Sequence, residues 1–352
     1  MSARPAASRL FEAPDDLDEI NRLFHERRWS DGLPIIPPTR ERVERMLTGS
    51  RRKAGDLVAS VAPGFGEATV ERIAINAVLA GCRPDHLPVL LAAVAAMAAP
   101  EFNLQGVQAT TNPVAVWLIV NGPIAGQLGV NGGFNCLGQG TWSNAALGRA
   151  LRLVLQNIGG ALPGDMDRAT QGQPGKYSFC CAENEAANPW QPLHVERGFA
   201  RDASTVTVVG AAGTVNMNTH AKDADDILRA IADTFAFAAS NDYWCGGEPW
   251  LILAPEHAEI LRRDGLDKDT VRARLWEQSK MAARRMTKKD FERTAFSRRE
   301  ELGEIGPDTM LPISPRAADI GIIVAGGVGT HSVYVPGFGD SRAVTRAIDD
   351  GS

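Results

Sequence analysis

VAVWLIVNGP, residues 114–123, decides the fold class of this chain. Seven apolar residues run without a polar break and stop at Asn121, Gly122 and Pro123. A strand with one face in water alternates apolar and polar residues. One that is apolar throughout is buried on both faces, the usual condition of a parallel sheet covered by helices. Similar runs recur at LVASVA (57–62), VTVVGA (206–211), PWLILA (249–254) and IGIIVAGG (320–327). Between them lie apolar-faced helical patterns at VERIAINAVLAG (70–81), DHLPVLLAAVAAMAA (85–99), around 224–239 and at PEHAEILRR (255–263). The expectation is an α/β fold of largely parallel sheets with helices on both faces.

LVASVA followed by helices and PVAVWLIVNGP is echoed by VTVVGA, a helix and EPWLILAPEH. The echo is slight and suggests two similar, interlocked α/β halves. Residues 1–14 read as a disordered start, 15–200 as a first half, and 201–352 as a second. The second half carries a charged helical excursion at 267–302, whose Leu275, Trp276, Met281 and Phe291 suit either an intramolecular core or a homo-oligomer contact. Near the start, Asp15–Trp29 is acidic first and basic last, as a helix dipole favours. SDGLPIIPPT (30–39) is broken by prolines, and Thr39 is placed to cap RERVERML. The chain is expected to close on a loop, VGTHSVYVPGFGDSR (328–342), and a helix, AVTRAIDD (343–350).

Hydrophobic content of 44% and charge content of 22% suit a globular protein. A net charge of −5, with no basic block among aromatics, argues against nucleic-acid binding. No apolar run reaches the roughly 18 residues of a membrane helix, and the start lacks a signal-peptide core. The five cysteines hold no C-x2-C pair, so neither a disulfide framework nor a zinc knuckle is implied. A cytoplasmic location is expected, with reduced thiols.

The candidate chemistry concentrates between Asn131 and Phe199. The loop NGGFNCLGQG (131–140) precedes a helix that starts near Ser143-Asn144 and carries Arg149 and Arg152. Glycines let backbone wrap an anion, so Asn131, Gly132, Gly133 and Asn135, with Arg149, form a candidate substrate-binding set. The spacing matches neither a Walker loop nor the dinucleotide fingerprint. Tight turns explain such glycines equally well. Gly327 and Gly329, in GGVGTH (326–331), form a looser loop of the same kind.

In GQPGKYSFCCAENE (172–185), Cys180 is a candidate nucleophile. His194, in NPWQPLHVERGF, would be its acid or base, with Glu183 or Glu196 orienting it. The alternative is that both Cys180 and Cys181 are small buried residues. Three more histidines follow apolar runs: His220, His257 beside Glu256, and His331. At the carboxyl ends of strands they could converge as acid/base groups, or each could cap local backbone. Their spacing supplies no local ligand pair, so no metal site is expected, and no cofactor is legible.

The segments TVERIAINAVLAGCRPDHLPVLLAAVAAM (69–97), GVQATTNPVAVWLIVNGP (106–123), ALGRALRL (146–153) and GQPGKYSFCCAENEAANPWQPLHVERGF (172–199) carry a resemblance. Together they resemble an uncharacterised bacterial family of about 350 residues associated with small UGSC-motif thiol or selenol proteins. The likeness runs from DGLPIIPPT (31–39) to GGVGTHSVYVPGFG (326–339). It implies a catalytic or ligand-binding subunit with a thiol or selenol partner protein. In that family the Cys180 position is usually cysteine, the Cys181 position is often apolar, and the loop more often reads NSGYNALGPG. Phe134 here stands where that loop has tyrosine.

The leading expectation is an enzyme that cleaves or reduces a carbon–heteroatom bond of a small anionic substrate with a Cys180 thiolate and histidines. A hydratase, lyase or isomerase run by His and Glu is the thiol-free alternative. A non-catalytic binding subunit of a thiol-protein complex is the third.

Overall fold

Trp117 and Trp250 meet edge to face at the centre of the molecule, ring centroids 5.8 Å apart. Each stands on the inner face of a different four-stranded sheet. The structure, a computed structural model, describes residues 8–349. Its strands are β1 (Leu57–Val61), β2 (Gly66–Thr69), β3 (Ala115–Asn121), β4 (Cys180–Ala182), β5 (Thr205–Ala211) and β6 (Val215–Asn218). They continue as β7 (Trp250–Leu253), β8 (Met281–Ala282), β9 (Met310–Leu311), β10 (Gly321–Val324), β11 (His331–Val335) and β12 (Val344–Ala347). The first large sheet has the order β12-β5-β3-β4 and the second β10-β7-β11-β6. β1 pairs with β2, and β8 with β9, as small antiparallel ladders.

Both large sheets are mixed, which corrects the expectation of largely parallel ones. β3 is parallel to β4 but antiparallel to β5, and β5 is antiparallel to β12. β7 is parallel to β10 but antiparallel to β11, and β11 is antiparallel to β6.

The layering also differs. Side chains alternate across a strand, and both faces of β3 are buried in different company. Val116, Leu118 and Val120 pack with residues of the helices Val70–Leu79, Leu87–Met97 and Trp142–Asn157. Ala115, Trp117 and Ile119 pack instead with Trp250, Ile252, Ile323 and Val335 of the second sheet. That sheet turns Leu251, Leu253, Ile322 and Val324 outward to the helices Ala224–Phe235, Pro255–Arg263 and Lys268–Gln278. The result is four layers: helices, sheet, sheet, helices. Each sheet has helices on one face and its neighbour on the other. The unbroken apolar run therefore reports burial on both faces, not parallel neighbours.

A division at residue 200 does not follow the sheets, since β5 and β12 both complete the sheet that contains β3. AVTRAIDD is not a helix: Val344–Ala347 pairs with β5. β11, read as part of a loop, is a strand as well, and it pairs with β6. The start fares differently. Residues 1–7 lie outside the described residues, while Phe11 packs against Phe24 and Trp29 at centroid distances of 6.3 and 5.6 Å. The helix Leu17–Glu26 is capped by Asp16, and Arg40–Leu47 by Thr39, as side-chain oxygens accept early N–H groups. Within the excursion, Leu275 and Met281 are buried in the second helical core. Arg298 is only 1% exposed and donates to the carbonyls of Tyr243 and Pro312 and to Glu301. Among the described residues no single helix is long and apolar enough to cross a membrane.

One buried acid makes the second half sensitive to pH. Asp242 accepts from Tyr334 Oη at 2.6 Å and from the N–H of Gly337. Burial nevertheless pushes its carboxyl up from 3.8 to about 6. A raised folded-state value means that the protonated form stabilises the fold. That stability is complete below about pH 4 and is lost as pH rises through about 6, a difference of about 3 kcal/mol. Urea unfolding between pH 4 and 8 should show this decline in the wild type and a flatter profile in Asp242→Asn. Equal profiles would contradict it.

Candidate active site at the carboxyl ends of the parallel pairs

β3 and β4 are parallel, so their carboxyl ends open side by side, where open α/β sheets bind ligands. A cleft of about 520 Å³ lies there, lined by Gly122, Pro123, Gly132, Gly133, Glu183, Asn184, Glu185 and Arg201 among others. The parallel pair of the second sheet ends close by. The Asn184 N–H donates to the Val324 carbonyl at 2.8 Å, and the Gly326 N–H to the Gly132 carbonyl at 2.8 Å. Both glycine-rich loops therefore meet the segment that follows β4.

The wall of the cleft is built around Asn121, the last residue of β3. Its amide nitrogen donates to Glu183 Oε2 at 2.7 Å and to Glu185 Oε1 at 3.0 Å. The two glutamates share this donor because residues two apart in extended chain face the same way. Glu183 is fully enclosed. It also accepts from the Leu193 N–H at 2.7 Å and from Asn188 at 2.8 Å, with Lys268 Nζ 3.9 Å away. Burial pushes its carboxyl up, against the pull of Lys268 and these hydrogen bonds. Glu183 thus positions Asn121 and the chain around Leu193.

Glu185 is different, with a side chain 30% exposed. Its Oε1 also takes the Gly122 N–H at 2.7 Å. Gly122 has φ +83°, and a Cβ there would sit 2.1 Å from the Ala203 carbonyl oxygen. Only glycine fits this close approach. His194 stands behind the carboxylate, fully buried, with Nδ1 3.7 Å from Oε1. Its Nε2 donates to the Arg201 carbonyl at 3.2 Å. Among the described residues, the hydrogen bonds to Glu185 all fall on Oε1, so Oε2 is the oxygen left for a ligand.

The loop Asn131–Gly133 reaches the cleft as expected, and Asn144 holds it there. From the helix Trp142–Asn157, Asn144 accepts the Asn131 N–H at 2.8 Å. It donates to the carbonyls of Asn131, Cys136 and Cys180 at 3.0, 3.0 and 3.1 Å. Asn131 folds the loop on itself, accepting the Gly133 N–H and donating to the Phe134 carbonyl. Asn135 turns away, at φ +57°, to the Gln139 carbonyl. Gly327 packs against the Phe134 ring.

Several expected roles do not fit this geometry. Arg149 is held by Asp31 at 2.8 and 2.9 Å and by the carbonyls of Leu33 and Pro34, so it fastens the proline-rich segment and not a ligand. Cys180 faces the outer helical core, and burial pushes its thiol up to about 12. Among the described residues no cation or imidazole offsets that burial, and His194 lies beside Glu185 instead.

His220, His257 and His331 do share one end of the second sheet. His331 pairs in register with Asn218 at the end of β6, and Glu256 lies within electrostatic reach of His220 and His257. Their individual settings are local, however. His257 is buried between Ser332 Oγ at 2.8 Å and the Thr219 carbonyl at 3.1 Å, and burial lowers its pKa. Glu256 is paired with Lys222 at 2.5 Å, and His331 with Asn216 at 3.2 Å. His220 is exposed.

Glu185, Arg201, Asn121 and Asn144 did not emerge as site residues from the sequence. The one usable signal was the alternation in Glu183-Asn184-Glu185 after a buried strand. No protein-family model, curated protein or solved structure matches the chain.

Proposed function

We propose that the protein is an acid/base enzyme, a lyase, hydratase or isomerase, acting on a small anionic substrate in the cleft beyond β3 and β4. The observation that carries this reading is the setting of Glu185. One carboxylate oxygen is pinned by the Gly122 N–H and the Asn121 amide and backed by His194. The other is left towards a cleft that Arg201 also lines. A substrate carboxylate paired with Arg201 would place a neighbouring C–H or O–H against Glu185. A positioned base of this kind accelerates proton transfer by about 10²–10⁴-fold. A thiolate route through Cys180 has less support, because its sulfur lies in the outer core. The thiol or selenol partner that the family resemblance implies is not required by this chemistry.

The reading is tested by calorimetric titration with a panel of 2-hydroxy, 2-oxo and α,β-unsaturated carboxylates. At least one should bind, and Arg201→Gln should weaken it by about tenfold or more. Equal binding by both proteins would remove Arg201 from the site.

A further inference from the structure

A second cavity, of about 230 Å³, lies at the other end of the second sheet's parallel pair, where β7 and β10 begin. It shares no lining residue with the cleft. Trp250, first in β7, and Gly321, first in β10, are partners in register. A Cβ at Gly321 would sit 2.3 Å from the Trp250 ring, so glycine lets that ring lie across the start of β10. Five charged residues line the cavity: Glu196, Arg197, Glu248, Arg272 and Asp319. Three of them are spent on neighbours. Arg272 donates to the Ile320 carbonyl, to Asp269 and to Glu196. Glu196 also takes Lys268 at 3.1 Å, and Asp319 takes the Arg316 guanidinium at 2.6 Å. Arg197 and Glu248, both half-buried, have no ion-pair partner among the described residues. Each instead holds one side of the same residue. The Ala343 N–H donates to Glu248 Oε2 at 2.7 Å, and the Ala343 carbonyl accepts from Arg197 Nη1 at 2.9 Å. The guanidinium also lies over the Trp250 ring, 5.7 Å from its centroid. Glu248 Oε1 and Arg197 Nε and Nη2 are left without hydrogen-bond partners among the described residues. A charge withdrawn from water without a counter-charge is costly. Burial accordingly pushes the Glu248 carboxyl up and lowers the pKa of the Arg197 guanidinium.

We propose that this cavity binds a free α-amino acid with an apolar side chain, its carboxylate on Arg197 and its ammonium group on Glu248. The two unspent charges are one of each sign, which a zwitterion matches and a simple anion or cation does not. A guanidinium grips a carboxylate through two parallel N–H donors, and Nε and Nη2 are the pair left to do so. Glu248 Oε1 is the acceptor left for the ammonium group. Leu193, Trp250 and Ile320 supply apolar wall for the side chain. The volume lies below the about 300–1,000 Å³ of drug-sized sites and suits a smaller metabolite. This inference does not rest on the acid/base reading of the cleft, because its test reads binding at a separate place.

The full chain is titrated calorimetrically with L-alanine, L-valine, L-leucine and L-methionine. Each is run beside the carboxylic acid and the amine that carry its side chain and only one of its charges. At least one amino acid should bind with a Kd of about 1 mM or tighter. Its acid and its amine should each bind at least about tenfold more weakly. Arg197→Gln should weaken the amino acid by at least about tenfold and leave its amine unchanged, while Glu248→Gln weakens the amino acid and leaves its acid unchanged. Arg201→Gln, in the cleft, should bind the amino acid as the wild type does. No binding by any of the four at up to about 10 mM would overturn the proposal. So would an acid or amine that binds as tightly as its amino acid, or binding that is lost in Arg201→Gln and kept in Arg197→Gln and Glu248→Gln. The comparison of ligands on the wild type decides the matter even if the variants fail to fold.

Discussion

Asn144→Ala is expected to lower the unfolding free energy by about 3–5 kcal/mol, as read by urea denaturation. The side chain is nearly buried; it accepts the Asn131 N–H, and its two amide hydrogens are shared among the carbonyls of Asn131, Cys136 and Cys180. Each buried bond contributes about 1 kcal/mol net, and groups left without partners add about 1–3 kcal/mol. The Asn131 carbonyl keeps the Ala182 N–H, which limits the loss there. The Asn131 N–H and the Cys136 carbonyl have no such reserve in the bonds described above. Faster amide exchange at Asn131 and Gly133 should accompany the loss, because Asn144 is what fixes the loop to β4. A change below about 1 kcal/mol would show that the loop is held by other means.

Glu185→Gln should leave the fold intact and remove the proposed proton transfer. An amide oxygen in place of Oε1 still accepts from Gly122 and Asn121, so the wall of the cleft survives. The amide cannot take a proton at catalytic pH. The expected result is a kcat lower by about 10²–10⁴-fold with KM little changed, the pattern of a group needed mainly in the transition state. Arg201→Gln should show the opposite split, with KM raised and kcat less affected. A common fall in both variants, with weakened folding, would point to a structural role for the cluster.

Much of the fold was legible because burial writes itself into sequence. The apolar run 114–120 announced a strand enclosed on both sides, and the acidic-to-basic run Asp15–Trp29, Thr39 and the helical periodicities marked helices. What covers a buried strand is not written in that strand. A second sheet and a layer of helices ask for the same side chains, so mixed sheets packed face to face read like parallel ones. β6 and β11 were missed because their outward residues are polar: Asn216, Asn218 and His331 alternate with buried positions in runs of four or five. β12 was misread because VTRA acquires its strand character from β5, far away in sequence, and context outweighs local propensity. At the site, the glycines of the loop were legible. The role of Glu185 was not, since it depends on Asn121 and His194, which folding brings to it from separate segments.

The most direct test of the acid/base account is deuterium wash-in followed by proton NMR. The carboxylate panel is incubated in D2O with wild-type protein, Glu185→Gln and Arg201→Gln. The account predicts loss of a substrate C–H signal with the wild type for at least one member. The loss should be slower by at least about 10²-fold with Glu185→Gln. Wash-in at equal rates with wild type and Glu185→Gln would contradict it, as would binding through Arg201 by panel members none of which exchanges a proton.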